Sequence, residues 1–90
     1  MKQLITASPP ECFWINNGPI VCDIRELYVA LKDSVSDEQF FRHVTKERND
    51  FEKWIRVTLH DDSCALKVMK AHTREDVVQI LRTRLRSYDV

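Results

Sequence analysis

The chain has 90 residues, and its 14 basic side chains balance 14 acidic ones, so the formal net charge is zero. A chain this short forms one domain and buries roughly 60–65% of its unfolded surface in a single core. Neutral overall charge excludes nucleic-acid binding driven by bulk electrostatics, and no segment approaches the roughly 18 apolar residues of a membrane span.

Residues 1–10 read as a flexible tail, and 11–88 as one helical domain. Residues 1–22 hold all three prolines and the only glycine. Pro9 and Pro10 enforce an extended approach. The Cys12–Ile15 block is apolar but too short for a helix. Asn17-Gly18-Pro19 marks a turn in which Gly18 can take positive φ. A β-hairpin there is weakened by Pro19, which has no amide to donate. The segment is expected to lie as an apolar arm across the helices, carrying Phe13, Trp14, Ile15, Ile20 and Val21.

Five phrases then announce helix starts: Asp23-Ile-Arg-Glu26, Ser36-Asp-Glu-Gln39, Asn49-Asp-Phe-Glu52, Asp61-Asp-Ser-Cys64 and Thr73-Arg-Glu-Asp76. Each opens with a side chain able to accept from an amide of the first turn. The first three carry Glu or Gln at the fourth position, the pattern of a capping box.

The first helix is expected over 24–33, with Ile24, Leu27, Tyr28 and Leu31 on one face. The second covers about 37–46 and turns Phe40 and Val44 inward. The third covers about 50–59, with Phe51, Trp54, Ile55 and Leu59 inward. An apolar spacing runs through the junction between them, but Asn49-Asp50 favours a cap over a helix interior, so a break is expected near 47–49. The fourth helix spans about 62–70, with Ala65, Leu66 and Met69 inward. The fifth spans about 74–86, with Ile80 and Leu81 among its apolar residues. Together these predict an all-α fold: a compact orthogonal bundle of four to five short helices with an extended N-terminal arm.

Phe13-Trp-Ile-Asn-Asn-Gly-Pro19, Arg25-Glu-Leu27, Phe40 with His43-Val44, and Asn49-Asp-Phe51 with Trp54-Ile55 resemble a family of small prokaryotic helical domains of unknown function. The resemblance covers roughly residues 11–86. It implies an all-α fold and supplies no catalytic residues. One departure stands out: His60 occupies the position where a glycine is expected to end the third helix, and histidine takes that left-handed conformation at a cost.

The candidate chemistry is sparse. His43 and Glu47 are four apart, so on a helix they share a surface, and Asp50 lies nearby. These three could form a metal or small-molecule site, with His60 a further ligand; otherwise His43 is a half-buried histidine bonded to Asp50 or to a backbone carbonyl. Asn49 and Asp50 either cap the third helix or touch a ligand. Cys12, Cys22 and Cys64 lack the spacing of a zinc knuckle. Their odd number, with no secretory signal, reads as reduced thiols in a cytoplasmic protein. Cys64, near a helix start, could be activated or simply packed. Arg82, Arg84 and Arg86 read as a solvated helix end. Trp14 and Trp54 belong in the core unless exposed, in which case they become binding hot spots.

No catalytic signature, cofactor motif or metal motif is present. The sequence therefore suggests a non-enzymatic interaction or regulatory accessory module. Its partner would be a second copy or an unrelated protein, not nucleic acid or membrane. Part of Phe13, Trp14, Ile15 or Tyr28 is expected to stay accessible as an apolar patch.

Overall fold

The computed structural model describes residues 2–89, with side chains from Leu4 to Tyr88. Among these residues are five α-helices: α1 (Ile24–Asp33), α2 (Asp37–His43), α3 (Asp50–Val57), α4 (Asp62–Met69) and α5 (Arg74–Leu85). Every expected start is capped, Asp23, Ser36, Asn49, Asp61 and Thr73 each accepting from an amide three residues on. Ser36 and Gln39 form the full reciprocal box. Glu26 instead accepts from the Cys22 amide at 2.7 Å, and Glu52 pairs with Arg56.

The fold is mostly α rather than all-α. Strands β2 (Phe13–Trp14) and β3 (Ile20–Val21) form an antiparallel pair, and β1 (Lys2–Gln3) runs parallel to β4 (Tyr88–Asp89). The hairpin forms despite Pro19 because Pro19 contributes its carbonyl, which accepts from Ile15 N–H at 3.3 Å. The positive φ of the turn falls on Asn17 (52°), not on Gly18. Gly18 sits in a tight space: a Cβ there would meet Ile15 Cγ2 at 3.0 Å and Gln39 Nε2 at 3.3 Å, so these side chains would have to give slightly.

The expected flexible tail is instead largely attached, apart from Met1, which lies outside the described residues. It contains β1, a 3₁₀ turn over Pro9–Glu11, and a buried Ala7 whose N–H donates to the Cys22 carbonyl at 2.7 Å. Reduced thiols throughout are also corrected, because Cys12 and Cys22 form a disulfide. Cys12 and Cys22 continue the register of the Phe13–Val21 pair by one step. Their Cα atoms are 4.5 Å apart, the close spacing of a non-hydrogen-bonded cross-strand pair. The bridge removes the argument from thiols to the cytoplasm. Among the described residues no helix is long and apolar enough to cross a membrane.

Helix α2 stops at His43, three residues early. Val44 and Asn49 form an isolated bridge, and Thr45 N–H bonds the Arg48 carbonyl at 2.7 Å. The Thr45 hydroxyl accepts from the amides of Glu47 and Arg48, a local turn that outcompetes the next helical turn. At the end of α3, His60 takes the left-handed conformation at φ 56°. The Asp61 amide reaches back to the Ile55 carbonyl at 3.1 Å.

Helix α3 packs on α4, and α1 and α4 pack on α5. Leu27, Leu31, Phe40, Phe51, Ile55, Val68, Val77 and Leu81 are completely buried. On α4 the buried face is Cys64, Ala65 and Val68, so Leu66 and Met69 point outward, contrary to the expectation. Ile80 is only half-buried. The Cα radius of gyration is 11.8 Å, close to the ~12 Å usual for this length. Phe51 meets Phe13, Phe40 and His43 at ring-centroid distances of 5.0, 5.6 and 5.3 Å. Phe51→Ala is therefore expected to cost about 3–5 kcal/mol in urea denaturation. A loss below about 1 kcal/mol would show that the aromatic cluster does not hold the core.

Candidate interaction surface

The hairpin is fastened to the helices by three side chains. His43, last residue of α2, accepts at Nε2 from the Asn16 amide at 2.9 Å. Because that nitrogen accepts, the proton of the neutral ring sits on Nδ1, which donates to Asp50 Oδ2 at 3.0 Å. Gln39 donates from Nε2 to the carbonyls of Asn16 and Asn17 at 2.9 and 3.0 Å. From α3, the Trp54 indole donates to the Glu11 carbonyl at 2.8 Å, at the foot of the hairpin. Phe13 fills the space between these bonds, against His43, Phe51 and Trp54. The Cys12–Cys22 bridge closes the base.

This geometry assigns most of the sequence candidates. His43 and Asp50 come together, and Asp50 also pairs with Arg48 at 3.2 Å. Glu47 does not join them, because α2 ends before it and its side chain is exposed. Both nitrogens of His43 are engaged, leaving none to ligate a metal. Among the described residues no group of three or more His, Cys, Asp or Glu side chains is placed to hold a metal ion. Asn49 caps α3 through Oδ1, and its Nδ2 donates to the Val68 carbonyl of α4 at 3.2 Å, tying the two helices together. Asp50 lies in the first turn of α3, where a negative charge is favourable. Trp54 is core, at 7% exposure.

Trp14 is different. It is 71% exposed. It is paired across the strands with Ile20, which is 50% exposed. Phe13 and Tyr28 are half-buried and Ile15 is buried, so Trp14 alone of the four expected patch residues is fully open. Ile20, expected to press onto the helices, is exposed beside it, and Val29 of α1 is 47% exposed. Between the hairpin and α1 runs an open groove of about 350 Å³ lined by Pro19, Ile20, Glu26 and Val29 among others.

A second polar cluster escaped the sequence. Asp61 is 4% exposed and accepts two bonds from Arg84, each 2.8 Å, one from the Tyr88 hydroxyl and one from the Cys64 amide at 3.2 Å. Arg84 is thus not part of a solvated helix end. Burial alone would raise the Asp61 pKa, but the bonds from Arg84, Tyr88 and Cys64 outweigh it and hold the carboxyl below its ordinary value. Burial, reinforced by the Asp61 carboxylate, pushes Tyr88 up to about 12. Burial and the same carboxylate push Cys64 up to about 11, the opposite of an activated thiol. The cluster joins the start of α4 to the end of α5 and to β4, and it lies apart from the hairpin. Its one sequence signal was an arginine on the inner side of the last turn of α5.

Compared with protein families, curated proteins and solved structures, the chain matches no family model, no curated protein and no solved structure. Membership of the helical family it resembles is therefore a proposal, and the surface is argued from geometry.

The Asp61 cluster sets the expected pH limits. A depressed carboxyl stabilises the fold above about pH 4, the unfolded value, and this contribution is lost as pH falls through the lower native pKa. Tyr88 acts in the opposite sense. Its contribution is complete below about pH 10, the unfolded value, and disappears as pH rises toward about 12. Arg84→Gln should move the acid-unfolding midpoint to higher pH, read by circular dichroism. An unchanged acid limb would contradict the assignment.

Proposed function

We propose that the chain is a non-catalytic interaction or regulatory accessory module that presents Trp14 as its binding anchor. The observation that carries this reading is a tryptophan 71% exposed on a hairpin that three side chains and a disulfide hold in place. Tryptophan is enriched among residues that dominate interface energetics. A fastened hairpin also loses little freedom on binding, so more of the contact energy appears as affinity. Ile20, paired with the anchor, carries the apolar surface toward a groove that Val29 lines together with the exposed Arg25 and Glu26.

The scaffold is read as an orthogonal bundle of short helices, with the hairpin in place of the simple arm. The disulfide suits an oxidising compartment better than the cytoplasm.

Trp14→Ala tests the reading. A surface substitution away from the core should change stability by no more than about 0.5 kcal/mol. Association should nevertheless weaken by about tenfold or more. Two readouts apply: self-association by light scattering, and quantitative capture from a native extract on immobilised wild-type and variant chains. Equal association by both chains in both readouts would contradict the proposal.

A further inference from the structure

The outer face of α1 is divided lengthwise by charge. Val29 lies at its centre and is 47% exposed. At 3.6 residues per turn, Arg25 and Lys32 fall about 40–60° to one side of Val29, and Glu26 and Asp33 fall about 40–60° to the other. All four are exposed. The basic edge borders Tyr28, whose ring centroid lies 5.7 Å from Lys32 Nζ. The hairpin groove is lined by Arg25 and Val29 as well as Glu26, and its lining continues past the acidic edge to Ala30 and Ser34.

We propose that this face is a homodimer interface in which two copies of α1 pack side by side, parallel, about a two-fold axis. The occupant follows from the charge pattern. A parallel two-fold sets one edge of the helix against the opposite edge of its mate at the same height. Arg25 then faces Glu26 of the second copy, Lys32 faces its Asp33, and the two Val29 side chains meet between them. An antiparallel pairing does the reverse and brings Arg25 against Lys32 and Glu26 against Asp33. Like charges so placed are repulsive, so the pattern selects the parallel arrangement. In that arrangement the hairpin wall beside the acidic edge of one copy borders the basic edge of the other. With a formal net charge of zero, no long-range repulsion keeps the copies apart.

This inference rests on the hairpin face being the interaction surface, and it adds the identity of the occupant. Light scattering of the full chain from micromolar to millimolar concentration should show a monomer–dimer equilibrium. The double variant Arg25→Glu with Lys32→Glu has two acidic edges, and Glu26→Lys with Asp33→Lys has two basic ones. Each should self-associate at least about tenfold more weakly than wild type, and mixing the two should restore dimers. If either variant fails to fold, the wild-type chain supplies the test through salt. Its self-association should weaken severalfold as ionic strength rises toward about 1 M. A salt-insensitive dimer, or variants that dimerise as the wild type does, would overturn the arrangement. A wild-type chain that stays monomeric also overturns it. If Trp14→Ala still abolished capture of another protein, the interaction surface itself would stand. If Trp14→Ala had no effect either, both readings would fall.

Discussion

The structure depends first on where His43 sits. The residue closes α2, and its ring is held from both sides: Nδ1 donates to Asp50 at the start of α3, and Nε2 accepts from the Asn16 amide of the hairpin. One imidazole therefore joins three segments that share no regular secondary structure. The tautomer is fixed by the amide, which offers only a donor. The ring packs edge-on against Phe13 and Phe51, so its polar edge is satisfied while its faces stay in an apolar setting. Trp54 repeats the device one turn into α3, with its indole on the Glu11 carbonyl and its ring against Phe13. An apolar arm laid across helices would be free to shift, whereas these bonds give it one register.

That register has a consequence at the surface. Once Phe13 faces inward, strand alternation turns Trp14 outward. The inward residue sits in the aromatic cluster and the outward one stands in solvent, so burial of one produces exposure of the other. The fold cannot bury Trp14 without releasing Phe13 from Phe51. The exposed anchor is thus a product of the core, and the same bonds that stabilise the hairpin preorganise the surface it presents.

The legible parts of this sequence were the local ones. All five helix starts could be read because a cap and its amide lie three residues apart. The end of α2 could not, since the Thr45 turn that stops it uses a hydroxyl whose partners depend on the chain already having turned. The disulfide was hidden by an odd cysteine count. Its signal was symmetry: Cys12 and Cys22 stand one step outside the Phe13–Val21 pair, which becomes visible only once the hairpin is accepted. On α4 Ala65 was assigned correctly, but Leu66 and Met69 were placed on the inner face because they look as hydrophobic as Val68. In the candidate site, His43 was expected to bond either Asp50 or a backbone carbonyl; Asp50 is the partner, and the other ring nitrogen accepts from a backbone amide instead. Glu47 was included on its four-residue spacing from His43, which needs a helical turn that α2 does not continue into. The Asp61–Arg84–Tyr88 cluster joins residues more than twenty apart, and no spacing rule reaches that far.

The central claim is that residues 12–22 form a rigid, outward-facing hairpin rather than a mobile arm. Backbone ¹⁵N relaxation measures this directly. The account predicts order parameters near the ~0.85 of well-ordered backbone from Phe13 to Val21, as in the helices. It also predicts a protected Trp54 indole proton beside a freely exchanging Trp14 one. Order parameters below about 0.6 across the hairpin, or indole protons with the reverse protection, would contradict it.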